Sequence, residues 1–178
     1  MDAATRRATA VSAEAWQGAT SGVEPSAMAT IEHHAVIERP AREVWAILED
    51  VRRLPELSKS TVEVRDAPER LAAVGQTFTQ VVQVLGKRFE SVWEVTTFEA
   101  DRSFSIEGDV GYGVRYCLRE AVEPLGSDRS TFTLHITYTL PLGILGRIAG
   151  RLGVEQRARA EAAEVVAGLK AVAEAAPR

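Results

Sequence analysis

Tyr116, Tyr138 and Ser91 are the side chains whose types and placement suit chemistry on an enclosed organic molecule. Each falls on the apolar parity of a strand pattern. A phenol withdrawn from water needs a hydrogen-bond partner, and a ligand carbonyl or a water can serve. Such phenols with a nearby hydroxyl could hold and orient an enclosed ligand by its carbonyl. The same inner parity carries Phe78, Phe89, Trp93, Phe104 and Phe132, the mostly apolar lining with few polar groups that ligand cavities use. Core packing alone accounts for any one of these aromatics, and for Trp45, whose helical spacing already turns it inward.

Other chemistries lack their residues. Cys117 is the single cysteine, and His33, His34 and His135 have no carboxylate at ligand spacing, so no metal and no internal disulfide is expected. His33 and His34 point to opposite faces of one strand, and His135 shares a threonine-rich face, so at most one of the first two looks inward. Gly143, Gly146, Gly150 and Gly153 lack the preceding strand and the lysine of a phosphate loop. No Ser/His/Asp set can be assembled, and no cofactor is expected. A formal net charge of -4 argues against a nucleic-acid surface, which needs clustered Lys and Arg. With no run of 18 apolar residues and no basic-then-apolar leader, neither an integral membrane segment nor a signal peptide is expected, and the default compartment is the cytoplasm.

The length of 178 residues suits one domain. Residues 1–29 are rich in Ala, Ser, Thr and Gly without a sustained period, and read as a disordered or weakly ordered arm before a domain over 30–176. Met28 would itself serve as a translation start. Ile31, His33, Ala35 and Ile37 alternate with polar neighbours as a half-buried strand. Pro40 then opens a helix with Ala41, Val44, Trp45 and Leu48 on one face. A second short helix is expected near Leu54–Leu57, and a strand at Val62–Val64. From Gly75 to Leu140 the chain reads as five further antiparallel strands joined by tight turns. In the last, Phe132, Leu134, Ile136, Tyr138 and Leu140 share one face.

The sequence closes on a long helical pattern from Pro141 to Ala175, with Leu145, Ile148, Leu152, Ala158, Ala162, Val165, Leu169 and Val172 on one stripe. Such a stripe needs an apolar sheet to cover it. Its glycine-interrupted start, with Leu145 and Ile148, either caps the sheet or forms a movable entrance.

Three stretches carry a family resemblance. Ile37-Glu38-Arg39-Pro40-Ala41-Arg42-Glu43-Val44-Trp45 followed by Leu54-Pro55-Glu56, then Val92-Trp93-Glu94-Val95, then Tyr138-Thr139-Leu140-Pro141 entering an Arg/Glu/Ala-rich helix, resemble the polyketide cyclase/dehydrase and lipid-transport branch of the START-related (SRPBCC) superfamily. The resemblance implies an α+β helix-grip fold. In that fold a seven-stranded curved antiparallel sheet wraps around a long C-terminal helix, with two short helices after the first strand. It implies a cavity between sheet and helix for a small hydrophobic ligand of polyketide, lipid or isoprenoid type, in a monomer or homodimer. Many relatives carry Trp where this chain has Leu57. Leu145 and Ile148 join the aromatics and Ser91 as expected ligand contacts. The alternatives are a polyketide aromatase/cyclase or dehydratase, and a protein-interaction role of the cochaperone or ribosome-associated type. The Ala- and Arg-rich composition points to a GC-rich bacterial source.

Overall fold

The computed structural model describes residues 26–84, 86–110, 114–141 and 151–175. Strands β1 (Ser26–Ile37), β2 (Thr61–Arg65), β3 (Thr77–Val84), β4 (Lys87–Glu99), β5 (Ser103–Asp109), β6 (Arg115–Pro124) and β7 (Ser130–Pro141) form one antiparallel sheet in the order β1-β7-β6-β5-β4-β3-β2. Helices α1 (Ala41–Leu48) and α2 (Leu54–Leu57) follow β1, and α3 (Arg151–Ala175) packs on the sheet's inner face. This is the helix-grip architecture expected from the sequence.

β1 starts earlier than its side-chain pattern suggests. Residues 26–29 read as arm from the sequence, yet they pair with β7, Met28 opposite Thr139 and Ala29 opposite Tyr138. Backbone hydrogen bonds to β7 hold this end. The exposed Met28 and the small, half-buried Ala29 bury too little to leave a period in the sequence.

α1 begins at Pro40, whose carbonyl accepts from the Glu43 amide at 2.9 Å, and it buries Val44, Trp45, Ile47 and Leu48. Trp45 packs edge-on against Phe104, ring centroids 5.9 Å apart, and tilted against Phe98 at 5.8 Å. Phe98 reaches this position through a register shift between Val95 and Thr97. Ahead of the shift the odd-numbered Ser91, Trp93 and Val95 are buried; after it the even-numbered Phe98 turns inward.

Alanine, glutamate and arginine give α3 its propensity, and its buried line is mostly small: Ala158, Ala162, Val166, Leu169 and Ala173. Val165 and Val172, expected on that line, are only partly buried, because the inward direction runs one residue further along the helix. Small residues bring the helix axis close to the sheet and to α2. At Gly168 an added Cβ would lie 2.1 Å from the Leu57 carbonyl oxygen, so only glycine permits this approach. The helix's far end is fastened to β1: Lys170 Nζ donates to the Val36 carbonyl at 2.6 Å, and the Glu38 amide donates to Glu174 Oε1 at 2.9 Å. The expected helix start over residues 142–150 lies outside the described residues.

Candidate functional site

The register of the sheet arranges its inner face in rows. Ala29, Tyr138, Tyr116, Gly108, Trp93 and Phe78 stand side by side across six strands. Gly108 is required there, because a Cβ would come within 2.8 Å of the Trp93 ring, which lies across β5. The phenol rings of Tyr116 and Tyr138 stack with centroids 5.4 Å apart and an interplanar angle of 21°. A parallel row further along the strands holds His33, Leu134, Glu120 and Phe104.

Glu120 is the unexpected member. On β6, Tyr116, Leu118, Glu120 and Val122 share the inward parity, and Glu120 is 7% exposed. It lines a pocket of about 20 Å³ between the sheet, the α1–α2 segment and α3. Ile47, Leu48, Val51, Leu54 and Leu57 form the helical wall, Phe78, Phe104 and Ile106 the sheet wall, and Val165 the contribution of α3. Leu57 thus forms part of the pocket wall. Among the described residues no hydrogen-bond donor or cation reaches the Glu120 carboxyl. Burial alone pushes its pKa up from the ordinary 4.5 to about 7. Asp50, at the pocket's edge, is held below the usual carboxylate range by its hydrogen bond with Arg52, 2.7 Å from Arg52 Nε to Asp50 Oδ1.

Three further polar atoms on the inward parity are buried without a partner among the described residues, Trp93 Nε1, His33 Nε2 and Ser130 Oγ. Of the residues expected from the sequence to meet a ligand, Phe78 and Phe104 line the pocket. Ser91, Trp93, Phe132 and Tyr138 are buried on the same sheet face, and Tyr116 is half-buried beside Tyr138. Phe89 has the right parity but lies at the end of β4 near the β3–β4 turn, 37% exposed, beyond the cover of the fold. Leu145 and Ile148 lie outside the described residues. His135 is on the outer face, in keeping with its threonine neighbours, and its Nδ1 is 3.2 Å from Glu32 on β1, a partner that only the strand pairing brings near. Glu120 is missing from the residues singled out by sequence, although its signal is present there, a carboxylate on the apolar parity of a strand. Cys117, on the opposite face of β6, has its thiol pKa raised by burial and by Glu107, which keeps it from acting as a ready nucleophile.

Residues 28–174 match the family of polyketide cyclase/dehydrase and lipid transport proteins. The chain belongs to that family. No match was found among curated protein sequences. Among solved structures, the Zhui aromatase/cyclase from Streptomyces sp. R1128 is 20% identical, with a TM-score of 0.68 over 83% of this chain and 94% of that one. TTHA0849 from Thermus thermophilus is 18% identical, with a TM-score of 0.66 over 84% and 100%. Truncated norcoclaurine synthase from Thalictrum flavum is 13% identical, with a TM-score of 0.63 over 89% and 100%. At these identities the likeness is one of fold. Among the described residues of this family member, no helix is long and apolar enough to cross a membrane, and no three His, Cys, Asp or Glu side chains converge on a metal position.

Proposed function

We propose that the protein binds a small hydrophobic molecule, of polyketide, lipid or isoprenoid type, between the inner face of the sheet and α3. The observation that carries this reading is an interior polar group without a visible structural purpose: Glu120 is buried and unpartnered among the described residues, in a pocket lined, apart from Asp50, by apolar side chains. A family of cyclases and lipid carriers on this fold agrees with it. The pocket of about 20 Å³ has room for one water-sized group and not for such a ligand. The body of such a ligand therefore needs space beyond this pocket, opened along the sheet face by movement of what covers it.

A second reading, an aromatase/cyclase or dehydratase, draws on the same residue. A carboxyl whose pKa is raised to about 7 can give up and take back a proton near neutrality, as a general acid or base must. Tyr116 and Tyr138 face each other four residues along β6 and β7 from the pair Glu120 and Leu134, so their phenols would act at a different part of the same molecule.

Native mass spectrometry of the protein purified from its own host tests the binding reading. A co-purifying small hydrophobic molecule is expected. Protein that is free of ligand, and that binds no hydrophobic probe in solution, would sink it. Turnover of a supplied polyketone that is lost in Glu120→Gln would favour the enzyme.

A further inference from the structure

We propose that the pocket at Glu120 is a subsite for one uncharged oxygen of the ligand, a ketone, ester or ether oxygen, which accepts a hydrogen bond from the protonated carboxyl. The inference rests on the binding function proposed above and names the polar group that such a ligand must carry.

Size is the first ground. About 20 Å³ lined by Glu120 fits an oxygen and little more, so this space seats a functional group while the apolar body of the ligand lies elsewhere along the sheet face.

The neighbours of Glu120 supply the second. From α1, α2 and the turn between them come Ile47, Leu48, Val51, Leu54 and Leu57, all apolar, together with Asp50, which already holds Arg52. β5 contributes Phe104 and Ile106, β3 Phe78, and β7 Leu134. The contribution of α3 is Val165. On β1 the nearest titratable side chain is His33, two strands away with Leu134 between, a backbone separation of about 10 Å. Among the described residues no cation faces the carboxyl from these elements.

Those surroundings choose between two kinds of ligand. A cationic amine would have to leave water and cross apolar walls to meet a carboxylate that has also left water, and removing both charges from solvent cancels most of their attraction. A neutral acceptor gives up only one carbonyl's hydration and finds a donor waiting in a place where hydrogen bonds are strong. The neutral acid is also the form that burial favours. Binding of an acceptor should therefore hold the proton on Glu120 and weaken as that proton is lost at higher pH.

The test uses the full chain and three naphthalenes of matched shape: 2-acetylnaphthalene, 2-ethylnaphthalene and 1-(2-naphthyl)ethylamine, titrated at pH 5.5 and pH 8.5. The ketone is expected to bind about tenfold more tightly than the hydrocarbon at the lower pH, an advantage that shrinks at the higher. Glu120→Gln, which keeps an N–H donor at both values, should retain the ketone preference throughout. Glu120→Leu should abolish it while still binding the hydrocarbon. Equal binding of ketone and hydrocarbon at both pH values would overturn the subsite and leave hydrophobic binding standing. A preference for the amine that grows with pH would overturn it in favour of a cation site. Failure of every probe, with no co-purifying molecule, would remove the binding function and the subsite together. The wild-type comparison decides the matter even if a variant does not fold.

Discussion

Gly168 of α3 lies directly against the carbonyl of Leu57 at the end of α2, with 2.1 Å between that oxygen and the place a Cβ would occupy. The Lys59 amide, just beyond α2, donates to Glu164 Oε1 at 3.0 Å, so the same seam is closed one helical turn away. Because Leu57 and Val165 both line the Glu120 pocket, this contact sets the position of one pocket wall.

Gly168→Ala should therefore destabilise the protein by about 1–3 kcal/mol in urea denaturation, the cost of forcing packed backbone apart. The usual effect of Gly→Ala inside a helix is a gain of about 1 kcal/mol. A neutral or stabilising result would show that the helices are not in this contact.

Glu120 should leave a pH signature. Its folded pKa of about 7 stands above the ordinary 4.5, so the folded state binds the proton more tightly than the unfolded one. The resulting stability is fully present below pH 4.5 and is lost as pH rises through 7, by an order-of-magnitude total of roughly 3 kcal/mol. Glu120→Gln should lack that decline. Urea midpoints for both proteins at pH 5, 6, 7 and 8 should diverge with pH; parallel curves would mean that the carboxyl is solvated.

Ser130, at the start of β7, is fully buried with its hydroxyl unpartnered among the described residues. Ser130→Ala removes a buried polar group that has no bond to lose, and should raise stability by about 1 kcal/mol. A loss of similar size would reveal a partner for that hydroxyl.

The stacked phenols can be tested as a pair. In a double-mutant cycle with Tyr116→Leu and Tyr138→Leu, a coupling of about 0.5–1.5 kcal/mol is expected from the ring contact. Additive losses would mean that each ring simply fills its own space.

The strand order along the chain and the inner face are legible because alternation survives wherever one side of a strand is buried. Phe132 to Tyr138 display it residue by residue, as do Ser91, Trp93 and Val95. Phe98 is hidden by the register shift before it, since a single extra residue reverses the parity and leaves no mark on composition. The first residues of β1 are hidden for a different reason, that main-chain pairing needs no particular side chain. Gly168 is overshadowed by the regular glycines at 143, 146, 150 and 153, although a lone glycine in an Ala-rich helix often marks a close approach. Glu120 is readable in principle. Aromatic parity draws the site toward Tyr116 and Trp93, while the carboxylate on that same apolar parity stands four residues further along β6.

The pairing of β1 with β7 also bears on how the molecule is assembled during synthesis. Ile37 meets Ser130 and Met28 meets Thr139, so β1, which precedes the other described strands in the chain, gains its neighbour in the sheet only when β7 has been made. The strands from β2 to β7 adjoin their sequence neighbours and can zip together as each emerges. β1 has to be retained nearby or recaptured, a long-range closure that is expected to be the slow event. Lys170 to Val36 and Glu38 to Glu174 span 134 and 136 residues of sequence, so these two bonds, like the β1–β7 pairing, join segments far apart along the chain.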